Sequence, residues 1–191
     1  MKTLRAVSFD DFVEWYLRRE NTKGNIRSVP ETRFERRILM EATQHGKLWP
    51  GCASWPWSLV EVAPSELSNL LILADDWTRD ELLVRKGVVR TLGNTVTHAL
   101  DSGYFTDLTD RRTRHHGYYH TFEHTSPSTS EIGRLVLRTL HENERSEVDA
   151  GHASGICYYL HDGFGRLLPY LTLLQQKQVE PVVIEAFLAG K

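Results

Sequence analysis

Two cysteines in 191 residues, Cys52 and Cys157, are too few for a disulfide framework, and they lack a CxxC spacing. An all-cysteine zinc site needs four thiolates, so both residues are expected to be reduced, structural thiols. Long apolar runs are also missing. Nothing approaches the ~20 consecutive apolar residues of a membrane span, and Met1 to Ser8 has no apolar stretch of signal-peptide length. The expectation is a cytoplasmic protein with no membrane contact. A formal charge of −2 leaves no whole-molecule field for nucleic acid or anionic lipid, so any such affinity has to be local. No period of 20 to 50 residues repeats. With 40% hydrophobic and 25% charged residues the composition is that of an ordinary globular chain, and its length suits one domain spanning residues 1–191.

Helical signals dominate what is present. After Ser8, the residues Phe9, Phe12, Val13, Tyr16 and Leu17 recur at helical spacing, until Asn21 to Asn25 supplies a polar, glycine-containing break. Pro30 suits the first turn of a second helix, with Phe34, Ile38 and Leu39 on one face and Gly46 as its stop. From Leu48 to Pro64, Trp49, Trp55 and Trp57 alternate with proline and glycine; this predicts irregular chain, with a short extended piece at Ser58 to Val62. Ser65 reads as the cap of a helix over Glu66 to Asp76. Thr78 and Glu81 form a capping box for another, which carries Leu82 to Leu100 and ends at Gly103. Further helices are expected at Glu131 to Glu142, Ala153 to Tyr159, Phe164 to Gln176, and after Pro181. The fold class expected is mainly α: a single-domain helical bundle of about six to eight helices, with an irregular Trp/Pro segment and a His/aromatic loop or short strand.

Four of the nine histidines fall between His115 and His124, directly after Arg111, Arg112 and Arg114. On a helix, His116, His120 and His124 would stack with neighbouring Cβ atoms ~5–6 Å apart. On a strand, residues four apart lie ~13 Å from each other, beyond one metal ion. Gly117 disfavours helix, and Tyr118, Tyr119, Thr121 and Phe122 suit extended chain, so the run favours the second geometry. It then offers a basic, aromatic surface: Arg111, Arg112 and Arg114 for phosphate, Tyr118 and Tyr119 for stacking, over a patch reaching Phe122. Trp55 and Trp57 are a second candidate binding surface, since tryptophan is enriched at interface hot spots.

A metal site is the alternative. The apolar stretch Ile156 to Leu160 runs into His161-Asp162-Gly163, which resembles the central signature of HD-domain phosphohydrolases. The resemblance implies His120, His124, His161 and Asp162 as metal ligands, around a divalent ion such as Zn, Mn or Fe that activates water against a phosphate. The sequence departs from that family in having no aspartate after Asp162, and His124 lies 37 residues before His161. Asp162-Gly163-Phe164-Gly165-Arg166 is similar to the phosphate loop of Fic-type nucleotidyl transferases, which implies phosphate binding by Arg166. The family's asparagine is replaced by Phe164. Arg145 with His152, and Arg111 with His116, have the loose spacing of HEPN-type ribonucleases.

No catalytic pattern is complete. The expected function is therefore a small interaction or regulatory protein that binds another macromolecule, a protein first and a nucleic acid or nucleotide second, through its Trp/Pro and His/Tyr/Arg surfaces. The alternative is a metal-dependent phosphohydrolase or nuclease.

Overall fold

The computed structural model describes residues 1–43, 52–67, 70–72, 94–95, 120–123, 127–140 and 158–190. Its centre is a mixed β-sheet. Strands β1 (Lys2–Val7), β2 (Trp57–Val62), β5 (Leu135–Thr139), β6 (Tyr158–Asp162) and β7 (Ile184–Ala189) carry five or six residues each, while β3 (Leu71–Ile72) and β4 (Asn94–Thr95) carry two. The order is β1-β2-β7-β5-β6-β3-β4, with β5/β7 and β3/β6 parallel and the other pairs antiparallel.

Helices cover both faces. On one, α1 (Phe9–Thr22) and α2 (Arg33–Ala42) pack Phe12, Val13, Tyr16, Leu17 and Met40 against Trp57, Leu59, Val136 and Phe187. On the other lie the short helices α3 (Pro64–Leu67) and α4 (Thr129–Ile132) and the longer α5 (Phe164–Gln175). There Leu67, Ile132, Leu167, Leu168, Tyr170 and Leu171 meet Val60, Val62, Leu137, Leu160 and Ile184. Helix α1 begins with a capping box in which the Ser8 hydroxyl accepts from the Asp11 amide and Asp11 accepts from the Ser8 amide. It then crosses the sheet obliquely. Phe12 stacks on Trp57 of β2 with ring centroids 4.3 Å apart, Trp15 meets Phe187 of β7, and Arg19 reaches Asp162 of β6.

The mainly α bundle is overturned by this sheet. The helix expected over Glu131 to Glu142 is instead α4 followed by β5, and those expected at Ala153 to Tyr159 and after Pro181 end in β6 and β7. Helix Glu66 to Asp76 shrinks to α3 and gives way to β3, and Asn94–Thr95 within the predicted 78–103 helix is β4. A strand covered on both faces has no polar side to alternate with. Leu135, Val136 and Leu137 are all buried, and such a run reads like a piece of core helix. Gly133, at φ +66, marks the break from α4 into β5. The helices expected near Phe9 to Leu17 and at Phe164 to Gln176 are α1 and α5, and Ser58 to Val62 lies in β2. Helix α2 is turned from its expected orientation: of Phe34, Ile38 and Leu39, Leu39 packs inward beside Met40 while Phe34 and Ile38 lie outside. Among the described residues no helix is long and apolar enough to cross a membrane.

Candidate functional site

A bulge in β6 positions the carboxylate around which the site is built. Leu137 pairs with Leu160, but the next residue towards the amino end of β5, Val136, pairs with Asp162, so His161 is the extra residue. One extra residue reverses the alternation of a strand. Asp162 is thereby moved off the face of Leu160, which packs on α5, and onto the face of Val136, which packs on α1. There the Arg19 Nη1 group donates to Asp162 Oδ2. From the far side, Arg166 of α5 brings its Nη2 within 3.8 Å of the same oxygen, while its guanidinium donates to the carbonyls of Ile132 and Arg134. Asp162 is the point at which guanidinium groups from both helical layers converge.

The network continues along the last turn of α1. Arg19 lies over the rings of Trp15 and Tyr16, each 5.3 Å away, and its Nε and Nη2 reach Glu20 Oε1 at 3.4 and 3.2 Å. Lys23 Nζ donates to the same oxygen at 3.0 Å, and Asn25 Nδ2 to Oε2 at 2.6 Å. The chain reversal makes this possible. Gly24 adopts φ +77, its amide bonds the Asn21 carbonyl, and the Asn25 amide bonds the Glu20 carbonyl, closing the helix end. The same closure returns the Asn25 side chain to Glu20. Beside it, Thr43 at the end of α2 caps the Met40 carbonyl through its hydroxyl and hydrogen-bonds Tyr16.

Together these residues enclose a cleft of about 440 Å³, lined by Tyr16, Arg19, Glu20, Lys23, Asn25 and Asp162, with apolar walls at Ile26, Leu39 and Ala42. Burial raises the Tyr16 phenol well above its ordinary range, and the carboxylates of Glu20 and Asp162 push the same way. Burial also penalises the charged forms of Glu20 and Arg19. For Glu20 it is outweighed by hydrogen bonds from Asn25 and Lys23, which hold the carboxyl below its usual range; for Arg19 it is outweighed by Asp162.

Comparison with protein-family models, with curated proteins and with solved structures finds no match for this chain. The site is therefore read from its own geometry.

Of the residues singled out in the sequence, Asp162 and His161 are adjacent in β6, and Asp162 is engaged by Arg19 and Arg166. Arg166 joins α5 to the ends of α4 and β5. Trp57 is a core residue, 3% exposed, and Trp55 packs beside it. His120 sits 3.6 Å from Glu123 on a helical turn over 120–123, where extended chain was expected, and Phe122 of that turn is buried in the core rather than part of a surface patch. His124, Arg111, Arg112, Arg114, Tyr118 and Tyr119 lie outside the described residues. Among the described residues, no three His, Cys, Asp or Glu side chains gather as a metal site would require. Sequence reasoning missed Arg19, Glu20, Lys23 and Asn25. Arg18-Arg19-Glu20 reads as a solvated helix face, and only the position of Glu20 four residues after Tyr16, on the buried stripe, hinted otherwise.

The lowered pKa of Glu20 has a consequence for stability. A carboxyl held below its unfolded value stabilises the fold fully above that value, roughly 4.3, and the contribution is lost as pH falls through the lower folded value. Glu20→Gln is expected to flatten this part of the stability profile as pH falls below roughly 4.3. Urea unfolding of both proteins across that window measures it.

Proposed function

We propose that this chain is a cytoplasmic interaction protein that binds a protein partner through the outer face of α2. The supporting observation is that Phe34 and Ile38, one turn apart, are 73% and 52% exposed. A helix of an isolated domain ordinarily turns such residues inward, and this one does so with Leu39 and Met40 instead. Covering the part of each side chain that is still exposed contributes about 1–2 kcal/mol before the cost of association. Arg33 and Arg37 flank the pair, both near Asp10, and arginine beside aromatic residues is typical of interface composition. The matching surface is an apolar pocket with an acidic rim. Two large side chains make a small patch, which suits a reversible contact at the lower end of interface sizes.

The core position of Trp57 moves the binding surface away from the Trp/Pro segment. The engagement of Asp162 by arginine favours binding over metal-assisted hydrolysis. Affinity capture compares the parent chain with Phe34→Asp/Ile38→Asp, whose exposed positions leave the core intact. A discrete partner is expected on the parent and at least tenfold less on the variant, with unchanged melting. The same partner at the same level on both would overturn the reading.

A further inference from the structure

We propose that the cleft between the ends of α1 and α2 is a binding site for an alkylammonium ion, whose place on Glu20 Lys23 now takes as an internal stand-in. This does not rest on the α2 docking reading. Two helices end at the cleft, one through Arg19, Glu20 and Lys23 and the other through Leu39, Ala42 and Thr43. Carboxyl ends of helices carry partial negative charge and favour cations. The deeper charged groups are Glu20, Asp162 and Arg19, with side chains 11%, 17% and 16% exposed. Arg19 approaches Asp162 more closely than it does Glu20, and Arg166 adds a second positive charge on Asp162. Neutralisation of Glu20 is thus shared by Arg19, which is also committed to Asp162, and Lys23, which has no second carboxylate partner among the described residues.

Lys23 is the outermost of these groups, at 40% exposure, and its bond to Glu20 spans three residues on one helix. Such pairs are among the weakest, and a lysine stem is flexible, so the ammonium can be exchanged for another. Ile26, Leu39 and Ala42 provide a wall for a methylene chain, and Asn25 holds the second oxygen of Glu20. A volume of about 440 Å³ falls within the range of ligand pockets and exceeds what one lysine head group fills. The chemistry recognised is a primary ammonium on an apolar stem.

The test uses the full chain, n-pentylammonium as probe, and n-pentanol and pentanoate as controls of similar shape. Binding is followed by the nuclear magnetic resonance shift of the Asn25 side-chain amide. Lys23→Ala is expected to bind pentylammonium at least tenfold more tightly than the parent chain, with neither control bound. Adding Glu20→Gln to Lys23→Ala is expected to weaken binding about tenfold or more. Because Glu20→Gln alters a stabilising network, Ala42→Trp in the Lys23→Ala background serves as a second arm. It fills the cleft from an exposed position, leaves every charge in place, and is expected to abolish binding. Pentanol bound as tightly as pentylammonium, equal binding by the parent and Lys23→Ala, or full binding in the Ala42→Trp variant would each overturn the proposal.

Discussion

Asp162→Ala is expected to lower the unfolding free energy by about 1.5–3 kcal/mol, because it leaves a mostly buried guanidinium with Glu20 as its remaining carboxylate partner. Arg19 is 16% exposed on its side chain, and its planar group is held between Asp162, Glu20 and the rings of Trp15 and Tyr16. With Asp162 gone, Glu20 is left to serve both Arg19 and Lys23. Arg166 loses less, since it retains the carbonyls of Ile132 and Arg134. The cost belongs to the under-compensated charge rather than to the pair as such. Arg19→Met combined with Asp162→Leu should therefore be more stable than Asp162→Ala alone, because apolar replacement of a buried pair is often neutral or better. Denaturant unfolding of Arg19→Met, Asp162→Leu and the double variant gives the coupling directly. A loss below about 1 kcal/mol for Asp162→Ala would place the pair with exposed ones such as Arg18–Glu14, and would remove Asp162 as the link between the two helical layers.

How far the sequence disclosed this arrangement depends on which side of each element meets water. Helix α1 was readable because it has both: Phe12, Val13, Tyr16 and Leu17 alternate with Glu14, Arg18 and Asn21 at helical period, and Ser8 with Asp11 supplies a local start signal. Helix α5 was read as an amphipathic segment over Phe164 to Gln176 and lies there, although it is apolar nearly all round. The central strands were not. Tyr159 and Leu160 lie on opposite faces of β6 and are both buried, so the period of two that distinguishes a strand vanishes where helices cover both faces.

The candidate site was hidden for a different reason. Asp162 looked like a metal ligand because it follows His161 at the end of an apolar run, and its role is set by a one-residue bulge. The extra residue of this bulge is His161, with no glycine to mark it, and the bulge decides whether the carboxylate meets α5 or α1. Its partner Arg19 lies 143 residues away in the chain, a pairing that no local window contains.

Gly163→Ala is the second large effect expected, at about 2–5 kcal/mol, and it tests the turn that follows the bulge. Gly163 sits at φ +108 and ψ 0, a conformation that L-residues reach only under strain, at about 1–3 kcal/mol. A Cβ there would also lie 2.4 Å from Leu135 Cδ2, so the buried Leu135 side chain must shift, while the Leu135 Cα at 3.5 Å stays at ordinary contact. Overpacking of that kind costs about 1–3 kcal/mol more. Gly24 is the control. It too has positive φ, at +77, but nothing lies within 4 Å of an added Cβ, so Gly24→Ala should cost only the backbone part, about 1 kcal/mol. The difference between the two variants measures the packing of the turn on β5. Because the displaced atoms belong to Leu135, trimming that residue to alanine should cost less in the Gly163→Ala background than in the parent, by at least about 1 kcal/mol. Equal losses for Gly163→Ala and Gly24→Ala would mean that the turn does not press on β5. In that case the Asp-Gly-Phe-Gly-Arg segment would hold Asp162 through Arg19 and Arg166 alone.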